Sequence, residues 1–170
     1  MYRHFGNENG LTLIELLTAV SIVVTLAGVG IPIFLKSMAN AKHSEASTNL
    51  GAIKISQEIY KVSNGNYLTC TQYPVGSPDE TPVSWGSGNN EFNTIGFSTN
   101  AFVLFRYGVV ATAGSGSSPS TFVAEAFADT DGDGDTVLYE VTEKTAPLVS
   151  PAGGTATIPG FTNDGTPSED

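Results

Sequence analysis

The feature that most constrains this chain is an apolar run from Leu11 to Leu35 that contains one charged residue, Glu15. The hydrocarbon core of a bilayer is about 30 Å thick, and about 20 apolar residues cross it as a helix. The run is therefore long enough to span a membrane. A cleaved secretory signal peptide has a shorter apolar stretch of about 7–15 residues, so the run favours a transmembrane helix. Basic residues lie on both sides of it, so the flanking charges do not set its orientation.

The helical pattern continues beyond the apolar run. From residue 36 the apolar residues recur every three or four positions, for example at Ala46, Leu50 and Ile53, which predicts one amphipathic face. The pair Asn64-Gly65 is suited to ending a helix. The sequence thus predicts one helix from about Thr12 to about Val62. Its first half, 11–35, needs lipid or protein on all sides, and its second half, 36–62, needs a single domain against one face.

The composition changes after the helix and predicts a folded head. Region 63–100 is rich in Gly, Asn, Ser and Pro and is expected to be an irregular connecting loop. Region 101–144 contains three runs typical of short strands with tight connections, which predicts an antiparallel meander: Ala101–Ala113, Thr121–Ala128 and Thr136–Thr142. Region 145–170 is rich in Pro and Gly and is expected to be a weakly ordered tail. The predicted fold class is α+β, with the sheet packed on the second half of the helix.

Composition excludes several functional classes. The net charge of −10 argues against a protein that follows a nucleic-acid backbone, since such binding needs clustered cations. The single cysteine, Cys70, has no partner for an internal disulfide, so the core, an ion or neighbouring subunits must hold the head. The sequence contains no phosphate-binding loop, serine elbow or zinc-ligand spacing, which argues against an enzyme.

Glu15 is the first candidate functional residue. An ionised carboxylate in hydrocarbon costs several kcal/mol, so an acid inside a span indicates a functional site with a cationic partner. Two interpretations are open. Glu15 lies one turn inside the span and can reach the lipid headgroups. Alternatively, a cut after Gly10 would give Leu11 a new α-amino group, which could pair with the carboxylate.

The residues around that cut carry a family resemblance. A short hydrophilic segment that ends in Gly10 is followed by Leu-Thr-Leu-Ile-Glu, and this resembles the class III signal of type IV pilin precursors. Pro32 falls where that family commonly has a helix-kinking proline. The resemblance implies that a prepilin peptidase removes leader 1–10 between Gly10 and Leu11 and methylates the new terminus. It also implies a precursor in the inner membrane with the head outside, which the assembly machinery passes into an extracellular pilus.

The resemblance and the charges together predict a polymer. If Glu15 of an incoming subunit pairs with the Leu11 amine of the preceding one, a single stagger is favoured. The apolar run then packs on identical helices in a contact that does not close, which builds a helical filament. Gly28, Gly30 and Pro32 weaken the helix within this segment, and small residues that allow close helix approach are an equally good explanation of the glycines.

The predicted function is a structural subunit, the major pilin, of a type IV pilus that serves adhesion, motility or attachment. The alternative is a pseudopilin of a type II secretion system, which shares the N-terminal pattern and has a calcium-binding head. A third class, a singly anchored enzyme or binding protein, leaves Gly10 and Glu15 unexplained. The expected partners are further copies of the chain, the peptidase, the assembly machinery and, before assembly, the membrane.

An acidic loop is the candidate metal site. Its spacing matches a calcium loop, with oxygens at positions 1, 3, 5 and 12 and a glycine for the turn. The residues concerned are Asp129, Asp131, Asp133, Asp135 and Glu140. The flanking segments look like strands, so this is no ordinary EF-hand, and Asp-Gly pairs also suit a solvated hairpin turn. Calcium and a solvated turn both remain open, and no other cofactor is expected.

Overall fold

The computed structural model describes residues 10–76, 79, 81–86, 91–99, 102–130 and 136–149. The chain divides into two compact units, residues 1–38 and 39–170, which are described separately. Helix α1 is 52 residues long and runs from Leu13 to Asn64. It ends there because Gly65 adopts a left-handed φ of 81° and its N–H donates to the Lys61 carbonyl at 2.7 Å.

The first unit contains the N-terminal part of α1. Every large apolar side chain from Leu11 to Met38 is exposed, from 47% at Met38 to 80% at Leu11. The helix is continuous through Pro32. Because proline has no backbone N–H, the carbonyl of Gly28, four residues earlier, lacks its usual helical donor. Among the described residues of this unit, therefore, none covers the apolar surface of the helix.

The second unit is built on a five-stranded antiparallel sheet with the order β1-β4-β5-β6-β7. Its strands are Cys70–Tyr73 (β1), Arg106–Thr112 (β4), Thr121–Ala128 (β5), Val137–Thr142 (β6) and Leu148–Val149 (β7). A second, two-stranded sheet pairs β2, Val83–Ser84, with β3, Phe102–Val103, and a short helix, α2, spans Glu91–Thr94. The predicted α+β class is confirmed.

One face of the large sheet packs on the second half of α1. The helix contributes Ala46, Leu50 and Ile53, which are fully buried, as the period of three and four predicts. The sheet contributes alternate residues of its central strands to the same core cluster: Tyr107, Val109, Phe122, Ala124, Ala126, Tyr139 and Val141. Alternation on the strands matches the pleat, since successive side chains point to opposite faces.

The structure differs from the expectation for region 63–100, which contains β1, β2 and α2. These elements are two to four residues long, too short for a periodic pattern to indicate them. An aromatic cluster centred on buried Trp85 holds the region together. Its ring lies 4.9 to 6.0 Å from four edge-on neighbours, Tyr73, Phe92, Phe97 and Tyr107. Such edge contacts are worth about 0.5–1.5 kcal/mol each beyond area burial.

Candidate assembly site

Glu15 sits in a capping box at the start of α1. Its Oε2 accepts hydrogen bonds from the Thr12 N–H at 2.9 Å and from the Thr12 hydroxyl at 2.6 Å. In return, the Glu15 N–H donates to the Thr12 hydroxyl oxygen at 3.3 Å. Thr12 is thus the N-cap and Glu15 is the third helical residue, the reciprocal arrangement that satisfies two otherwise unpaired donors. The carboxylate also lies at the positive end of the helix dipole, which favours its negative charge.

The second oxygen of the carboxylate is available to a partner. Among the described residues, both hydrogen bonds that the Glu15 carboxylate accepts are made to Oε2, which leaves Oε1 open. The cap therefore orients the carboxylate and occupies half of its acceptor capacity. A cation that approaches Oε1 does not have to displace Thr12. This geometry suits a charge that is fixed in place before its partner arrives.

The candidate cleavage point is accessible. Gly10 and Leu11 are both exposed, and Leu11 is 80% exposed. A Cβ atom added at Gly10 would meet no atom within 4 Å. Among the described residues, therefore, nothing in the fold requires glycine at this position. A requirement for glycine there would come from a protein that acts on this bond.

The glycines within the apolar run are equally free of internal contacts. A Cβ atom at Gly28 or Gly30 would meet nothing within 4 Å. Glycine is unfavourable inside a helix, by about 0.5–1 kcal/mol relative to alanine. Among the described residues, α1 is the helix that is long and apolar enough to cross a membrane. No residue of its most apolar stretch is buried. The run thus has the properties of a surface that another molecule covers.

A carboxylate joins the second half of α1 to the sheet. Glu45 accepts hydrogen bonds from the N–H groups of Leu104 at 3.0 Å and Phe105 at 3.3 Å. The Tyr107 hydroxyl donates to it at 3.1 Å and accepts from the Asn49 amide at 2.8 Å. Burial, followed by the Glu45 charge, raises the pKa of Tyr107, so its hydroxyl remains a donor. The connection before β4 is therefore tied to the helix.

Three lysines of the same half donate to the head. The Lys42 ammonium donates to the Thr130 carbonyl at 2.7 Å, and the Lys54 ammonium donates to the Thr145 carbonyl at 2.6 Å. Lys61 donates to the Tyr67 hydroxyl at 3.2 Å. The ammonium groups on this part of the helix are thus directed toward their own head domain. In this half of the helix, the side that faces away from the head therefore carries fewer cations than the side that faces the head.

The acidic loop is only partly described. Asp131, Asp133 and Asp135 lie outside the described residues, while Asp129 is buried with 8% of its side chain exposed. Glu140 lies within β6 and is paired with Glu125 of β5. The pair that closes the loop, Ala128–Val137, lies three residue pairs away along the strands. At about 3.3 Å per residue, the Glu140 backbone is roughly 10 Å along the strand from that pair. Within the described part of the chain, no group of three or more His, Cys, Asp or Glu could hold a metal ion.

Sequence reasoning missed two residues of these sites. The role of Thr12 could have been predicted, since Thr-x-x-Glu before an apolar run is the capping-box signature. Glu45 had no such signal, because its partners are backbone N–H groups about 60 positions away in the sequence. His43 is half-buried with its ring centroid 6.0 Å from that of Tyr139, and burial lowers the pKa of its imidazole. Cys70 is a buried free thiol in the core.

The fold and the site together define a class of protein. A long, apolar N-terminal helix is followed by an antiparallel sheet, which is a pilin-like α+β fold. A segment of 60 residues is 43% identical to the type IV major pilin protein PilA of Myxococcus xanthus (strain DK1622). The match covers 35% of this chain and 27% of the relative, so the chain spans about a quarter of the length of the relative. No family model matches the chain, and no solved structure matches it.

Proposed function

We propose that this chain is the structural subunit, the major pilin, of a type IV pilus, an extracellular filament for adhesion, motility or attachment. The observation that carries the proposal is that the apolar part of α1 is exposed along its whole length and has a carboxylate, held in a capping box, at its start. Partial similarity to a major pilin supports it. A soluble monomer would not leave such a surface in water, since contiguous apolar patches mark membrane or protein contacts.

Processing is the first step of the proposed mechanism. A prepilin peptidase cuts between Gly10 and Leu11 on the cytoplasmic side, and the new terminus at Leu11 is methylated. Removal of residues 1–10 leaves Thr12 and Glu15 in the chain, so the capping box can survive the cut. The mature helix then starts with an ammonium group, and the carboxylate that needs a cation follows four residues later in the sequence.

Charge pairing is the second step. Oε1 of Glu15 in an incoming subunit accepts a hydrogen bond from the Leu11 ammonium of the preceding subunit. Two unit charges at 4 Å attract by about 4 kcal/mol at an effective dielectric constant of 20. In hydrocarbon each unpaired charge is unfavourable by several kcal/mol, so pairing favours one stagger of neighbouring helices over all others. The cap adds orientation, since the carboxylate is held before the encounter.

Burial of the apolar run is the third step. The run leaves lipid and packs on identical helices in a repeating contact that does not close, which extends a helical filament. Gly28 and Gly30 allow neighbouring helices to approach closely. Pro32 removes the donor for the Gly28 carbonyl, so this turn is the point at which the helix is most easily bent or unwound. Surrounding subunits would then shield the freed backbone groups.

Two measurements test the proposed function. N-terminal sequencing of the protein from the cells that make it should start at Leu11, and electron microscopy of sheared surface material should show long filaments that contain this chain. A chain that is processed at Leu11 but never forms filaments beyond the envelope would instead be the pseudopilin of a type II secretion system. A chain that retains residues 1–10 in its functional state contradicts both functions.

A further inference from the structure

We propose that His43 makes the packing of α1 on the sheet sensitive to protons: the neutral imidazole fits against β6, and its protonation in mildly acidic surroundings loosens this end of the head. The contact joins His43 on α1 to Tyr139 on β6, and we name it the His43 contact. It lies entirely within the second compact unit. It belongs to the single chain, so it stands apart from the proposed assembly.

His43 belongs to the row of α1 that faces the sheet. It is followed at intervals of three or four residues by the fully buried members of the row, Ala46, Leu50, Ile53 and Gln57. Residues at such intervals lie on one side of an α-helix. The ring of His43 is half-buried, and its centroid lies 6.0 Å from that of Tyr139, which is 7% exposed. A titratable side chain thus occupies a position at which the helix contacts the core.

The imidazole has a buried nitrogen without a hydrogen bond. Nδ1 of His43 is shielded from solvent and has no hydrogen-bond partner among the described residues. Gln57 of the same row differs, because its side-chain amide donates to the Leu68 carbonyl at 2.7 Å and accepts from the Leu68 N–H at 3.0 Å. A neutral imidazole carries one N–H, whereas the protonated ring carries an N–H on both nitrogens. Protonation therefore places a charged N–H where the described residues offer no acceptor, which is unfavourable.

The charges that α1 places near the ring do not favour protonation. The Lys42 ammonium precedes it in the chain and is held by the Thr130 carbonyl at 2.7 Å. Burial first and the Lys42 charge second lower the pKa of His43. Glu45, two residues further along the helix, already accepts hydrogen bonds from two backbone N–H groups and a tyrosine hydroxyl of the head. Its carboxylate is thus committed to other donors.

The titratable groups of the neighbouring strands offer no better partner. Burial raises the pKa of Tyr139, so its hydroxyl carries no charge at neutral pH. Successive residues of a strand point to opposite faces, and Tyr139 points to the core, so Glu140 and its cross-strand partner Glu125 lie on the other face. Asp129 follows β5 at the start of the acidic loop. The variants below leave Asp129 and the loop unchanged, so any titration of the loop persists in them.

Acidification should therefore destabilise this part of the head. The unfolded chain has the ordinary histidine pKa of about 6.5, and the pKa in the folded chain is lower. As the pH falls, the unfolded state binds the proton first, so stability is lost from about pH 7 down to the folded pKa. Tyr139 packs edge-on against Phe105 at 5.8 Å, and the Phe105 N–H donates to Glu45. A displaced His43 ring would loosen these neighbours first.

Thermal melting of the unassembled full-length chain in detergent, followed by Trp85 fluorescence at pH 7.5 and pH 5.5, tests the His43 contact. Between these pH values we expect the wild type to lose at least about 3 °C more than His43→Phe, which keeps a ring beside Tyr139 and does not titrate. The matched control, His4→Phe, removes the other histidine of the sequence and should behave as the wild type. If His43→Phe is unstable at pH 7.5, His43→Gln takes its place. Equal losses in the wild type and the His43 variant overturn the proposal.

Hydrogen exchange locates the change. At pH 5.5 the amides of Leu104 and Phe105 should exchange at least about threefold faster in the wild type than in His43→Phe, and at pH 7.5 the two chains should exchange alike. Equal exchange at pH 5.5 would show that protonation of His43 does not reach the head, which overturns the proposal. Both measurements use the unassembled chain, so they give the same answer whether or not the chain forms filaments.

Discussion

Glu45 ties the helix to the head by accepting from three donors, and its removal should lower the stability of the fold strongly. Glu45→Ala leaves the N–H groups of Leu104 and Phe105 without this acceptor, and the Tyr107 hydroxyl loses it as well. All three residues are at most 3% exposed, so water does not readily replace the carboxylate. An unsatisfied buried polar group costs about 1–3 kcal/mol, and the losses are not additive. We therefore expect the free energy of unfolding to fall by about 3 kcal/mol.

The fluorescence of Trp85, the sole tryptophan, is the readout, because its ring lies in the aromatic cluster with Tyr107. At about 2–4 °C per kcal/mol for a chain of this size, the full-length protein in detergent should melt about 10 °C lower. The matched control is Glu58→Ala on the same helix, which removes one acceptor, that of the Tyr67 hydroxyl. The reasoning is refuted if Glu45→Ala lowers the melting temperature no more than Glu58→Ala does.

Three further predictions concern the rest of the chain. Burial raises the pKa of Cys70 from 9.0 to about 12, so iodoacetamide at pH 8 should label it only after unfolding. The unfolded thiol loses its proton first as the pH rises, so stability should fall between about pH 9 and 12, and rapid labelling of the native protein would contradict this. Gly10→Ala should leave the fold unchanged but block processing, and mass spectrometry should then find a precursor that retains residues 1–10; a product that starts at Leu11 would contradict this. Calcium should raise the melting temperature at millimolar and not at micromolar concentration, because the strand register separates Glu140 from the loop. No shift at millimolar calcium would leave the loop as a solvated turn.

The sequence predicted those parts of the fold that follow from local periodicity. The spacing of Ala46, Leu50 and Ile53 indicated the buried face of α1, and the strand predicted over Thr121–Ala128 has those bounds in the structure. Alternation of buried and exposed residues is visible in a sequence because each element repeats every two or every 3.6 residues. Elements of two residues, such as β2, have no repeat to detect.

The contacts that fasten the head could not be predicted in the same way. Trp85 contacts four aromatic rings from three separate segments of the chain. Gln57 holds the chain after the helix by pairing its side-chain amide with both backbone groups of Leu68. Such pairs depend on how the elements pack, which local sequence patterns do not encode. They explain how the described head is held with Cys70 as a free thiol.

The capping box alters the interpretation of Glu15. The sequence indicated a charged residue that needs a cationic partner. The structure shows that one of the two Glu15 carboxylate oxygens already accepts hydrogen bonds from Thr12. The two roles of the carboxylate, as part of the helix cap and as a negative charge, can therefore be tested separately. Glutamine serves in a capping box as glutamate does, so Glu15→Gln keeps the cap and removes the charge. Thr12→Ala keeps the charge and weakens the cap by about 1 kcal/mol.

Filament yield of these two variants, measured by shearing and immunoblotting cells with equal amounts of processed subunit, tests the central claim most directly. If neighbouring subunits are held in register by the Glu15 carboxylate and the Leu11 ammonium, Glu15→Gln should lower the yield at least tenfold and Thr12→Ala should stay within about threefold of the wild type, since 1.4 kcal/mol corresponds to a factor of ten. Normal filaments from Glu15→Gln would show that the negative charge is not what sets the register.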